Sequence, residues 1–335
     1  MELKSIITQG TTRSVFRIAH LSDTHISPEY NRQNIAKLKN LLAYIVDEGY
    51  DHVVITGDIA GHGEERDFRS VRRLLKSFDL LDYEKLSVTI GNHDIFGGVH
   101  RAEDLFSFGN HCRTTVYREK VELFERTFKE TFPRKAYAGG KLFPFVKIVG
   151  PLAIIGINSV REFHPFLNPF GSNGYVSYEQ LESVEKILNH PSLSDLRKVI
   201  LIHHHFNEYQ PDAKSLMNRL YYAFESRTLK LHGRKRVEDL FRNSGVEVVL
   251  HGHTHIEDVY TNSRIAYSST ALNTIKSKWN SKGDDLSKVS FGDGQLLFNE
   301  ISVADDGGIQ IKKQRIKTRS KGNSSRSFDK KFCEE

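Results

Sequence analysis

"LSVTIGNHDIFGG", Leu86 to Gly98, joins an apolar run to a turn in which a glycine, an amide, an imidazole and a carboxylate follow one another directly. Leu86–Ile90 reads as a buried strand, and Gly91 permits a tight turn behind it. Upstream lie two more such runs, "VFRIAHLS" (Val15–Ser22) and "HVVIT" (His52–Thr56). Between the three, Ile35, Leu38, Leu41, Leu42 and Ile45 share one helical face, and Phe68, Val71, Leu74, Leu75 and Phe78 share another. A βαβαβ order predicts parallel strands joined by right-handed crossovers.

Downstream, Leu142–Val149 and Leu152–Ile157 read as adjacent strands about a Gly150-Pro151 turn, and Lys198–Ile202 and Val246–Leu250 as two buried strands. Ser177 and Gln180 have the spacing of a capping box that opens a helix. Asp258–Thr261, a turn at Asn262-Ser263 and Arg264–Ser269 read as a hairpin. Residues 97–140 are expected to be rich in loop, with one amphipathic helix around Val121, Phe124 and Phe128. Residues 275–294 are expected to form a long polar loop. No internal repeat or linker divides the chain.

The chain has 335 residues, 38% hydrophobic and 10% aromatic, a globular composition. It has no apolar run of about 18 residues, so no membrane span is expected. The first residues have no apolar core of a signal peptide. Cys112 and Cys333 cannot make a disulfide framework, and a reducing cytoplasm is the simplest setting. The net charge of +6 is concentrated in residues 312–335, which hold nine Lys or Arg against three Asp or Glu, so the remainder is formally neutral. That segment is expected to be a flexible basic tail, able at most to make a salt-sensitive contact with nucleic acid or anionic lipid. A neutral body argues against a nucleic-acid-binding face.

Five expected strand ends carry metal-type side chains: Asp23 and His25 in "SDTH", Asp58 in "TGDI", Asn92, His93 and Asp94 in "GNHD", the run His203 to His205, and His251, His253 and His255 in "HGHTH". Each alone reads as an ordinary turn. His20, inside the first strand, reads as structural. Five together at strand ends converge where open α/β sheets build their sites. Carboxylate, amide and imidazole without thiolate suit Mn²⁺, Fe or Zn²⁺. Calcium would ask for mostly oxygen. The donors number about seven, too many for one ion and enough for two that share a carboxylate. Such pairs clamp an in-line displacement and acidify a shared water to a hydroxide nucleophile, which points to phosphate esters or anhydrides.

The order Asp-x-His, Gly-Asp, Gly-Asn-His-Asp, His, Gly-His-x-His resembles the calcineurin-like metallophosphoesterase family, in style closest to its small bacterial phosphodiesterase branch. The motifs run from Asp23 to His255, and the resemblance covers residues 15–270. It implies an α/β fold, a four-layer αββα sandwich, with a phosphoesterase domain over 1–311 and the tail over 312–335. It implies one metal on Asp23, His25, Asp58 and His255, and a second on Asp58, Asn92, a histidine of the 203–205 run and His253, with Asp58 bridging. His93 would face the substrate and protonate the leaving group, and Asp94 would orient His93 and keep it protonated.

Many members carry a proline after the histidine run, where this chain has Phe206. Counting back from that position favours His204 as the ligand, and measuring from the strand end favours His203. Both stay open, with the count preferred. The spare histidines and Phe206 would border the substrate pocket. The implied activity is a metal-dependent phosphodiesterase or phosphatase acting on a small-molecule phosphate ester with two divalent ions. A nuclease gripping its substrate by the tail, or a non-catalytic scaffold, are the alternatives. Residues 95–140 and 158–176 flank the site and are expected to shape its pocket. The stretch Glu162–Tyr175 would suit stacking on a base, covering a lipid head, or plain packing.

Overall fold

A computed structural model describes residues 15–99, 104–133, 141–206, 231–272 and 295–317. Strand β1 (Val15–Leu21) leads through helix α1 (Arg32–Asp47) to β2 (His52–Thr56), and α2 (Glu65–Ser77) leads on to β3 (Leu86–Thr89). Both pairings, β1 with β2 and β2 with β3, are parallel, as the βαβαβ pattern predicts. All five residues of β2 are buried. A strand covered on both faces has no polar side to alternate with, hence the unbroken "HVVIT". The same sheet continues on the other side of β1 with β12 (Gln295–Ala304) and β13 (Ile309–Lys317), both antiparallel, in the order β13-β12-β1-β2-β3.

The second sheet holds β4 (Phe145–Val149), β5 (Leu152–Gly156), β7 (Arg197–Leu201), β9 (Val248–His251), β10 (Asp258–Asn262) and β11 (Ile265–Ser269). Its order is β10-β11-β9-β7-β5-β4, with antiparallel strands only at the two edges. A two-stranded pair, β6 (Gly174–Tyr175) with β8 (Leu231–His232), stands apart.

Three apolar layers fix the architecture. Ile18, Val54, Ile154, Leu201, Leu250 and Ile301 pack between the sheets. Outside the first sheet, Leu38 and Leu42 of α1, Phe68 and Val71 of α2, and Phe124 of α5 (Tyr117–Thr127) join one core. Outside the second, Ile155, Ile200 and Val249 meet Leu181 and Val184 of α6 (Tyr178–Leu188) and Val237 and Phe241 of α7 (Arg234–Asn243). The result is the four-layer αββα sandwich. No helix among the described residues is long and apolar enough to cross a membrane.

Some local expectations change. The stretch expected to be loop holds a further helix, α4 (Asp104–Thr114), and the short α3 (Asn92–Phe96) stands just before it. The strand read from Leu142 begins only at Phe145, because Pro144 has no N–H to give a ladder. Ser177 caps α6, accepting from the Gln180 N–H at 3.1 Å, but the Gln180 side chain does not return to the cap. It exchanges two hydrogen bonds with the Asn158 backbone, at 2.9 and 2.8 Å. The hairpin turn falls one residue later than expected, on Ser263 and Arg264, whose φ of 50° and 72° are those of a tight turn matching strand twist.

The boundary expected between 311 and 312 falls inside β13. Ile309 and Ile311 pack toward the gap between the sheets and Ile316 toward the outer core, the alternation of a strand. Lys312, Lys313 and Arg315 ride on this outermost strand, where charge discourages pairing with another chain. Lys313 donates to the Glu257 carbonyl at 3.0 Å, tying the strand to the segment behind β9. The polar loop expected over 275–294 and the rest of the expected tail lie outside the described residues.

Candidate metal centre

The ends of β1, β2, β3, β7 and β9 bring their polar residues together across both sheets. Asp23 and His25 follow β1, Asp58 follows β2, Asn92 opens α3 directly behind β3, His203 follows β7, and His253 and His255 follow β9. Backbone bonds lock neighbouring turns to each other: Asp23 N–H to Gly57 O at 3.1 Å, His25 N–H to Asp58 O at 2.9 Å, and Gly252 N–H to His203 O at 3.0 Å. The His253 N–H donates to both oxygens of Asp23 at 3.1 Å, and the His93 N–H to Asp58 Oδ1 at 2.8 Å. Asp23, His25, Asp58, His253 and His255 all sit at positive φ, between 41° and 76°. Left-handed backbone is uncommon for residues with a side chain and gathers at functional sites.

Two groups of donors result. Ligand atoms of Asp23, His25, Asp58 and His255 lie within 4.8 Å of one another, as do those of Asp58, His203 and His253. Asp58 belongs to both. Inside each group, acceptors face acceptors. His25 Nε2 is 3.0 Å from His255 Nε2, which is itself 3.4 Å from Asp23 Oδ1. His203 Nδ1 lies 2.8 Å from the Thr56 carbonyl and donates to it, which leaves Nε2 to face the centre. That nitrogen faces Asn92 Oδ1 at 3.1 Å, His253 Nδ1 at 3.2 Å and Asp58 Oδ2 at 3.3 Å. A proton or a cation must stand among such atoms. Carboxylate, amide oxygen and neutral imidazole are the donor set of a borderline divalent ion, so these residues suit the metals that the sequence implies.

Burial sets the charge states. It pushes His25 and His253 well below the ordinary imidazole range, so both offer lone pairs at neutral pH. Burial also raises Asp23, against the pull of His255 and His203. Burial would raise Asp58 as well, but the imidazoles of His203, His93 and His25 hold it well below the usual carboxylate range. His203 answers it. Burial would lower this imidazole, and the Asp58 charge outweighs that and lifts it to about 9. Two buried carboxylates thus recruit positive charge from a histidine whose other nitrogen is already committed.

The histidine run divides its labour. His203 joins the centre. His204 does not: its Nδ1 lies 2.8 Å from Ser159 Oγ and its Nε2 3.3 Å from the Ser172 carbonyl, so the preference for His204 is corrected. His205 stacks on His253, with ring centroids 5.8 Å apart. Phe206 is not a pocket residue; it is buried in the core against Phe241 and Tyr267. His251 turns from the centre to the Tyr260 hydroxyl at 3.0 Å. His20 is structural as expected, buried between Thr56 Oγ1 and Ser268 Oγ, each 2.9 Å away.

Asp94 does not hold the His93 ring. Its two oxygens accept from the Ala60 N–H at 2.8 Å and the Gly91 N–H at 2.9 Å, and burial followed by the Asp58 charge raises its carboxyl to about 8. The ring of His93 instead has Nδ1 3.3 Å from the Gly61 carbonyl. Gly91 is needed for space and not for its turn. Its φ of −112° suits any residue, but a Cβ there would collide with the carboxylate and backbone nitrogen of Asp58. Sequence reasoning missed Thr56, whose carbonyl orients His203, although Thr56 stands two residues before Asp58.

A model of the calcineurin-like phosphoesterase family matches residues 16–257. The chain belongs to the calcineurin-like phosphoesterase family. Among solved structures it is similar to a dimetal phosphatase from Danio rerio, at 13% identity and a TM-score of 0.54, covering 90% of this chain and 98% of that one. It is also similar to a purple acid phosphatase from yellow lupin (Lupinus luteus) seeds, at 14% identity and a TM-score of 0.55, covering 90% of this chain and 52% of that one. The chain therefore spans about half of the lupin enzyme. Identities this low speak for a shared fold. Comparison with curated proteins returns no match.

Proposed function

We propose that the protein hydrolyses a phosphate ester with two divalent metal ions, one on Asp23, His25, Asp58 and His255, the other on Asp58, Asn92, His203 and His253. The observation that carries this reading is the carboxylate of Asp58, common to two groups of converging donors. When bound, such a pair of ions acidifies water for attack and neutralises charge on the phosphate oxygens. The chain's own part is orientation and proton transfer. Thr56 fixes the tautomer of His203, Asp94 pins the turns that carry Asp58 and His93, and the His93 N–H steadies Asp58. With the Gly61 carbonyl taking the proton on Nδ1, a second proton on His93 Nε2 is the one available to a leaving oxygen. A reducing compartment such as the cytoplasm suits the free, buried thiol of Cys112.

The test is hydrolysis of an aryl phosphodiester and its monoester with Mn²⁺, with Asp58→Asn beside the wild type. Wild-type turnover is expected, and the variant should lose about 10³-fold, on the order of losing a principal transition-state stabiliser. The variant should also retain fewer than two ions per chain. The diester-to-monoester ratio selects the substrate class. No turnover of either ester with Mn²⁺, Fe²⁺, Zn²⁺ or Ni²⁺ bound would move the reading to a non-catalytic scaffold.

A further inference from the structure

The chain behind β3 turns back on itself. Helix α3 makes little more than one turn, and the Gly97 N–H closes it on the His93 carbonyl at 3.0 Å. One helical turn returns the chain to the side from which it started, so the backbone leaving Gly97 passes beside the His93 imidazole. Two adjacent glycines permit this for different reasons. Gly97 sits at φ 69°, the left-handed conformation that ends helices. Gly98 is not left-handed, and what it provides is space. A Cβ on Gly98 would lie 2.3 Å from His93 Cε1 and 2.6 Å from Nδ1, far inside contact distance.

The ring is held by packing. Asp94, the neighbour in sequence, is committed to backbone N–H groups. The hydrogen bond between ring Nδ1 and the Gly61 carbonyl is long, at 3.3 Å. On another side the ring meets His25 edge to face, with centroids 4.4 Å apart and planes at 78°. Gly98 closes the cradle along the Cε1–Nδ1 edge, which leaves Nε2 and Cδ2 uncovered by these three neighbours.

Each wall is fixed. The His25 N–H bonds the Asp58 carbonyl at 2.9 Å, and the Gly61 N–H bonds the Ile26 carbonyl at 2.9 Å. Gly61 also lies against Ser27, where a Cβ would be 3.1 Å from the serine Cβ. The turn at 97–98 is pinned too. The Phe96 carbonyl accepts from His111 of α4 at 3.1 Å, and a Cβ on Gly97 would lie 2.9 Å from the His62 carbonyl. A methyl group at position 98 is therefore accommodated by the imidazole, which must retreat or rotate by about 1 Å to regain ordinary carbon contact.

We propose that Gly98 is a positioning residue for the reaction: its bare Cα lets the turn clamp the His93 ring so that Nε2 is presented to the leaving oxygen. The proposal rests on the reading of His93 as the proton donor. A displacement of about 1 Å in such a group costs on the order of 100-fold in rate. Proton donation matters most where the departing oxygen is a strong base.

The test compares the wild type with Gly98→Ala, His93→Ala and the double variant on two aryl esters, para-nitrophenyl and unsubstituted phenyl, of the class the wild type turns over. Nitrophenolate needs little help to leave; a plain phenolate, which titrates at about 10, needs the proton. Gly98→Ala should lower kcat about 100-fold on the phenyl ester and less than about tenfold on the nitrophenyl ester, the gap that separates a group assisted by a general acid from one that is not. KM, metal content and the urea midpoint should stay close to wild type. In the His93→Ala background the glycine substitution should cost nothing further, because both changes act through one ring. Equal losses on the two esters, unchanged kcat on both, or a full effect without His93 would overturn the proposal. Loss of metal from Gly98→Ala would place its effect on Asn92 and Asp58 and overturn it as well. Ring placement is also read without turnover. In protein isotope-labelled at histidine Cε1, a nuclear Overhauser effect between the Gly98 Hα and His93 Hε1 protons is expected. A protein that shows this contact yet hydrolyses neither ester keeps Gly98 as the residue that places His93 and loses the proposed reaction. One that hydrolyses both without the contact keeps the reaction and loses the inference.

Discussion

The centre and Lys147 handle buried charge in different ways. Lys147, on the edge strand β4, is 1% exposed. Its ammonium donates to the carbonyls of Leu86 at 2.8 Å and Thr131 at 3.1 Å, and to that of Tyr83, whose ring lies 4.4 Å away. Three N–H groups meet three carbonyls, so every donor has its acceptor. At the centre the count fails: carboxylates, an amide oxygen and imidazole nitrogens meet each other with too few protons to share. The backbone differs too, since five residues of the centre sit at positive φ and Lys147 does not. A buried group complete within the chain contributes rigidity. One left short by the chain asks for something from outside.

Metal removal should break the comparison most sharply. Chelation is expected to abolish turnover and lower the unfolding temperature, since an ion at a hundred times its Kd adds about 2.7 kcal/mol to stability. Scanning fluorimetry with and without added Mn²⁺ or Zn²⁺ reads this, and an unchanged midpoint would mean the centre needs no cation. Next in size is the histidine run. His203→Asn should weaken binding of one ion by about 100-fold, the upper range for disturbing a ligand set. His204→Asn should keep the metal content and instead open the 159–174 loop to protease. Equal metal loss in both variants would erase the distinction drawn between them.

Lys147→Met should cost about 2 kcal/mol, because it leaves buried carbonyls unpaired, and should leave kcat unchanged. Urea midpoints and activity on one preparation test both halves, and a loss of turnover in the folded variant would tie this site to the centre. The smallest effect is one of pH. Burial lowers Lys147 to about 7, against the pull of Glu84 and Asp82, while in the unfolded chain it titrates at its ordinary 10.5. Between these values the unfolded chain binds more protons, so this residue's contribution makes stability rise with pH from about 7 to 10.5. Lys147→Met should remove that component of the slope, and identical slopes for both proteins would count against a depressed pKa.

The strands and the cluster of motifs were legible because both follow local rules: strands covered on both faces read as unbroken apolar runs, and sites collect at strand ends. What could not be read depends on distant or backbone partners. Three adjacent histidines lie beyond the end of β7, behind Ile202, so strand alternation no longer says which one points where. Ser159, 45 residues from His204, decides it. Asp94 stands next to His93 in sequence, but its partners are backbone N–H groups, which residue types do not reveal. Among the described side chains of helix α4, residues 107–114, only Cys112 is buried, and the helix carries Gly109, so it shows no apolar stripe. Strand β13 places Lys312, Lys313 and Arg315 along an edge, where a charged strand and a charged tail read alike.

The first sheet closes late. Strand β1 lies between β2, which follows it within 31 residues, and β12, which begins at Gln295. At ribosomal rates of about 5–20 residues per second, β1 waits roughly 15 to 60 seconds for its second neighbour. His253 and His255 arrive only shortly before that strand does. During most of synthesis the nascent chain therefore carries an open strand edge and half a set of ligands, and any chaperone or metal donor that serves this protein has its work concentrated in that interval.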